Sequence, residues 1–102
     1  MNFFYEKQII IKKNSTPNFI VTHEKNLTPS YKQMILKASI EGIAKAIDFL
    51  DITKYVTNTM DEFDGDRRWQ CACGYRDSFN ITGPEEIGIA FNLGNFKFVV
   101  YK

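Results

Sequence analysis

The chain has 102 residues, 44% hydrophobic and 25% charged, and its 13 basic and 12 acidic residues leave a net charge of +1. A single domain of this length (residues 1–102) buries roughly 60–70% of the surface its unfolded chain exposes, so its core needs no disulfide or metal. Residues 1–54 carry eight lysines against five acids (+3), and residues 55–102 carry five basic groups against seven acids (−2). Neither half is polarised enough to mark a nucleic-acid or acidic-substrate footprint by charge alone.

The chain opens Met1-Asn2-Phe3-Phe4-Tyr5-Glu6-Lys7 without an apolar leader core, and no stretch of about 18 apolar residues follows. This predicts a soluble cytoplasmic protein with no membrane contact. Phe3 to Lys13 alternates as a first strand, with Ile9 and Ile11 on one face. Asn14-Ser15-Thr16-Pro17-Asn18 is a run of turn formers, and Phe19 to His23 is a second strand, so the two make a hairpin.

Residues 29–50 then read as one long amphipathic helix. Thr28 is a good N-cap and Pro29 fits the first helical position. Leu36, Ile40, Ile43, Ile47 and Leu50 recur at helical spacing on one face, while Lys32, Lys37, Glu41, Lys45 and Asp48 fall away from it. Gly42 inside this helix implies a close approach by the sheet. Thr53 to Met60, with Tyr55, Val56 and three threonines, reads as a third strand, with a fraying helix end as the alternative for its beginning.

Asp61-Glu62-Phe63-Asp64-Gly65-Asp66 is a charged loop, and Arg67 to Tyr75 a strand that places Trp69, Cys71, Cys73 and Tyr75 on one face. Phe79–Ile81 is a short strand ended by Gly83-Pro84. Ile87–Leu93 and Phe96–Tyr101 form a hairpin about Gly94-Asn95, pairing Leu93 with Phe96, Phe91 with Phe98 and Ile89 with Val100. The predicted class is α+β: one long helix on an antiparallel sheet of about five to seven strands, in the order ββαββ(β)ββ.

Site chemistry is sparse. Cys71 and Cys73 lack the further ligands a zinc site needs, since His23 is the only histidine. Small core residues are the plainer account of both thiols. The acidic loop fails the EF-hand ligand pattern whether counted from Asp61 or from Asp64. One histidine, no phosphate-cradling glycine loop and no nucleophile elbow argue against an enzyme, and no cofactor or metal is expected.

The best contact surface is the mixed stretch Asp61, Glu62, Phe63, Asp64, Asp66, Arg67, Arg68 and Trp69, because loops collect binding residues and Trp and Arg are enriched among hot spots; within it Phe63 is the expected exposed anchor, and Trp69 suits the core better than a contact. The expected role is a small non-catalytic protein-binding module, a stoichiometric inhibitor occluding a basic surface or cleft on another protein such as a nuclease or toxin. By analogy of size and composition this is the manner of toxin-immunity and phage anti-defence proteins, including anti-CRISPR proteins, and Lys-, Asn- and Ile-rich usage suits a bacterial or phage source. The alternative is a nucleic-acid-binding domain using a lysine face (Lys12, Lys13, Lys25, Lys32, Lys37, Lys45) and the sheet aromatics. Phe96, Phe98, Val99 and Tyr101 match the aromatic strand of RNA-recognition sheets, while Gly94, Asn95 and Lys97 depart from it.

Overall fold

The computed structural model describes residues 2–12, 19–78 and 83–102. In chain order these form α1 (Phe3–Ile11), β1 (Phe19–Lys25), α2 (Pro29–Lys45), α3 (Phe49–Asp64), β2 (Gln70–Tyr75), a 3-10 turn (Arg76–Ser78), β3 (Gly88–Leu93) and β4 (Phe96–Tyr101). The class is α+β, but among the described residues there are three α-helices and a four-stranded antiparallel sheet, not one long helix on five to seven strands. Strand order is β1-β3-β4-β2, which leaves β1 and β2 as the edges.

Three segments depart from the sequence reading. The expected first strand over Phe3 to Lys13 is helical through Ile11, so it makes no hairpin with β1. Asn2 caps this helix, its Oδ1 accepting the Tyr5 amide at 3.1 Å. Phe3, Glu6 and Ile10 turn inward at helical spacing. The expected turn at Asn14–Asn18 and short strand at Phe79–Ile81 lie outside the described residues.

The helix expected over 29–50 is two helices. α2 ends at Lys45 because Ala46 adopts an extended conformation, and Asp48 then caps α3 by accepting the Asp51 amide at 2.8 Å. The buried face of α2 is Ile35, Ala38, Ser39, Gly42 and Ile43. Ile47 and Leu50, expected on the buried stripe, are exposed. The small residues in that face let α3 close in: a Cβ on Gly42 would lie 3.3 Å from Tyr55 Cδ1. The close approach therefore comes from α3 and not from the sheet.

The third misreading is Thr53 to Met60, which is helix despite its β-branched residues. Ile52, Val56 and Met60 are buried at four-residue intervals. Thr53 Oγ1 donates to the Leu50 carbonyl at 2.8 Å and Thr57 Oγ1 to the Thr53 carbonyl at 3.0 Å, so the hydroxyls are satisfied within the helix. Tertiary burial outweighs a weak local preference for strand.

The C-terminal hairpin has the predicted register, with Leu93 opposite Phe96, Phe91 opposite Phe98 and Ile89 opposite Val100. These six side chains are fully buried or nearly so, and together with Ile35, Ile43, Ile52, Val56 and Met60 they make one core between the helices and the sheet. Phe91 and Phe98 stack with centroids 5.0 Å apart. A β-bulge between Val21 and His23 lets β1 follow β3. Cys71, Cys73 and Tyr75 share the helix-facing side of β2, opposite Val100, Phe98 and Phe96.

Candidate functional site

The stretch singled out by sequence begins as the last turn of α3 and not as a loop. Asp61, Glu62, Phe63 and Asp64 are helical, and Gly65 ends the helix with φ 72°, its amide donating to the Asp61 carbonyl at 2.8 Å. The chain then turns through Asp66, Arg67 and Arg68 into Trp69 and β2.

Two of these residues, Trp69 and Asp64, serve the interior. Trp69 is buried at 3% exposure, which makes it core and not contact surface. Its indole Nε1 donates to Asp64 Oδ2 at 3.1 Å, and its amide donates to Asp61 Oδ1 at 3.2 Å. Asp64 also accepts hydrogen bonds from the Tyr31 hydroxyl and from Lys102 Nζ. One carboxylate thus ties the start of α2, the end of α3, the approach to β2 and the residue after β4. Lys102 Nζ and the Tyr31 hydroxyl hold the Asp64 carboxyl down at about 2. The hydrogen bonds they give to Asp64, and then its negative charge, raise Tyr31 and Lys102 above their ordinary values. Asp66 accepts from Arg68 Nε at 2.8 Å, lies 3.4 Å from Lys102 Nζ, and is lowered chiefly by Arg68.

What faces outward is smaller than the sequence suggested. Phe63 remains 44% exposed, its ring edge-on to Tyr31 at 5.9 Å. Glu62 and Arg67 are exposed and Asp61 is half-buried; with Asn58 and Gly65 they line an open polar concavity. Among the described residues no cation pairs with Asp61 or Glu62. Both carboxylates sit at the C-terminal end of α3, whose last turn contains no basic residue. The helix macrodipole is negative there, so the two charges stand where the backbone disfavours them.

Sequence reasoning missed Tyr31 and Lys102, which come from 33 and 38 residues away and carry no local signal. The other candidates are not assembled. His23 on β1 and Cys71 on β2 occupy opposite edges of the sheet, about 14 Å apart at three strand spacings. Burial pushes the Cys71 thiol up to about 12 and, with Cys71 beside it, Cys73 well above its ordinary value. No three His, Cys, Asp or Glu side chains among the described residues stand close enough to hold a metal ion. Phe96 and Phe98 have no exposed surface for base stacking. Of the lysines, Lys32 pairs with Glu24 at 2.9 Å, Lys25 reaches the Glu85 carbonyl and Lys45 lies over the Tyr55 ring. Lys13 lies outside the described residues.

Among the described residues no helix is long and apolar enough to cross a membrane. Comparison with known proteins finds no family model that matches the chain and no curated protein whose sequence matches it.

Proposed function

We infer that the protein is a non-catalytic protein-binding module, and that the end of α3 docks on a basic site of a partner and occludes it. The observation that supports this reading is a half-exposed Phe63 in the same last turn of α3 as Asp61 and Glu62, two carboxylates that no cation pairs with among the described residues. Lys102 and Arg68 already neutralise Asp64 and Asp66, so steering falls to Asp61 and Glu62. A cationic partner would relieve charges held at the negative end of a helix dipole while an apolar socket took the Phe63 ring. A stoichiometric inhibitor of a nuclease or toxin is the role that fits such a surface.

The test is affinity capture from the native host with the wild-type protein, Phe63→Ala and Glu62→Lys as parallel baits, followed by titration of the captured partner. Phe63→Ala should weaken binding by about 1–3 kcal/mol, as truncated hot-spot residues do. Glu62→Lys should slow association and flatten its salt dependence. A partner held equally by all three baits would remove this surface from the reading.

A further inference from the structure

The two edges of the sheet are not alike. β1 carries a bulge between Val21 and His23, and its exposed run ends in the charged Glu24 and Lys25. Bulges and charges of this kind keep a further strand from adding to an edge. β2 has neither protection. Gln70 to Tyr75 contains no charged residue and no proline, and it pairs with β4 in unbroken register.

The direction of each backbone group on β2 follows from the final hairpin. A two-residue loop closes on a hydrogen-bonded pair, here Leu93 and Phe96. Alternation then turns the backbone groups of Lys97, Val99 and Tyr101 toward β2, where they meet Gly74, Ala72 and Gln70. The Arg76 amide continues that ladder by donating to the Asn95 carbonyl at 3.0 Å. Cys71 and Cys73 therefore direct their N–H and C=O groups away from the sheet. Among the described residues none of these four groups has a hydrogen-bond partner.

We propose that two copies of the chain pair through β2, antiparallel about a two-fold axis at Ala72, joining their four-stranded sheets into one. Cys71 of each copy then lies opposite Cys73 of its mate, a hydrogen-bonded pair on either side of the axis that uses all four outward groups. A two-fold contact must be self-complementary, and this register meets that condition. It also sets the small Ala72 side chain at the non-hydrogen-bonded position, where the strands approach most closely. No charged group on the edge selects a foreign strand, whereas the strand's own sequence satisfies every outward group of Cys71 and Cys73.

The helix above the edge suits the same axis. α3 runs over β2 in the opposite direction, with Phe49 4.8 Å from the Tyr75 ring at one end and Asp61 accepting the Trp69 amide at the other. The level of Ala72 falls midway, near Tyr55. Tyr55 turns toward Gly42 of α2, so Thr53 and Thr57 lie on the flank away from α2, and the axis sets Thr53 of each copy beside Thr57 of its mate. Both hydroxyls are already bonded within the helix. Phe63 meets Tyr31 of α2, so pairing through β2 leaves it open and does not depend on the partner reading.

Sedimentation equilibrium of the 102-residue chain, across a concentration series into the millimolar range, tests this with Ala72→Lys, Ala72→Glu and their equimolar mixture alongside. Ala72 is half-buried on the sheet face away from the helices, and far-UV circular dichroism checks that each variant folds. The wild-type mass should rise from 11.8 kDa toward twice that value as concentration increases. Like charges facing each other at the axis should weaken association of each variant at least about tenfold, and the mixture, which sets Lys against Glu, should recover it. Hydrogen exchange of the wild type needs no substitution: the Cys71 and Cys73 amides should become protected as the mass rises. A mass fixed at the monomer value at every concentration overturns the proposal. So does a dimer that leaves those two amides unprotected, or one that the single variants form as readily as their mixture. A strand from another protein taking this edge while the chain stays monomeric overturns it too.

Discussion

Replacing Gly88 with alanine should be among the most damaging single-methyl changes in the protein. Gly88 opens β3 with φ 153°, a region side-chain-bearing residues rarely adopt. A Cβ there would lie 2.8 Å from Tyr101 Cα and Cβ, and closer still to the Val100 carbonyl oxygen. Those atoms belong to β4, with Tyr101 directly opposite Gly88 in the ladder, so they cannot withdraw without parting the strands. Backbone strain of this kind costs about 1–3 kcal/mol, and forcing a methyl into a filled space costs about as much again. A total of about 4 kcal/mol would consume a large share of the roughly 5–15 kcal/mol by which domains are stable. Gly65→Ala is the control: φ is 72° and a Cβ there would meet nothing within 4 Å, so the backbone cost of about 1 kcal/mol stands alone. Urea unfolding, followed by Trp69 fluorescence and circular dichroism, measures both midpoints. Equal losses in the two variants would refute the argument that contact with β4 is what demands glycine at 88.

The Asp64 cluster predicts an acid-sensitive fold. The Asp64 carboxyl is lowered to about 2 when folded, so its contribution is fully present above the ordinary carboxylate value and is lost as pH falls toward 2. Asp66, lowered by Arg68, acts in the same direction. Chemical denaturation from pH 6 to pH 2 should therefore show stability falling, with a shallower slope in Asp64→Asn; an unchanged slope would contradict the assignment. The raised Cys71 and Cys73 thiols should resist iodoacetamide at pH 8 in the folded protein and react quickly once it is unfolded, as read by mass spectrometry. Alkylation of the folded protein at the rate of a free thiol would contradict their burial.

The C-terminal hairpin was fully legible because its information is local. Gly94-Asn95 fixes the loop, and the alternation of large apolar residues on both sides allows only one register with a buried face. The helix starts at Thr28-Pro29 and Asp48 are equally local. Asp48, however, was read as a polar position within one helix, when its side chain caps a second. Counting only large apolar residues also misplaced the buried stripe of α2. Its true inward face includes the small residues Ala38, Ser39 and Gly42, and the role of Gly42 appears only when α3 packs against it.

The acid-rich stretch shows the same division. Its residue types favoured Trp69 inside and Phe63 outside, as the structure has them, but could not single out Asp64 among four carboxylates as the one that turns inward. That sorting depends on Tyr31 and Lys102, which only the folded chain brings to Asp64. For α1, the Asn2 cap was available in the sequence, but apolar residues lie all round the helix and left its period ambiguous.

The sequence by itself determined the α+β class, the final hairpin and its register and the place where α2 begins, because each rests on neighbours a few residues apart. Only tertiary structure decided that Thr53 to Met60 is helix, that β1 and β2 are sheet edges, and that Asp64 is a structural hub. Those outcomes follow from contacts between distant segments, whose burial energy exceeds the small local preferences that a sequence displays.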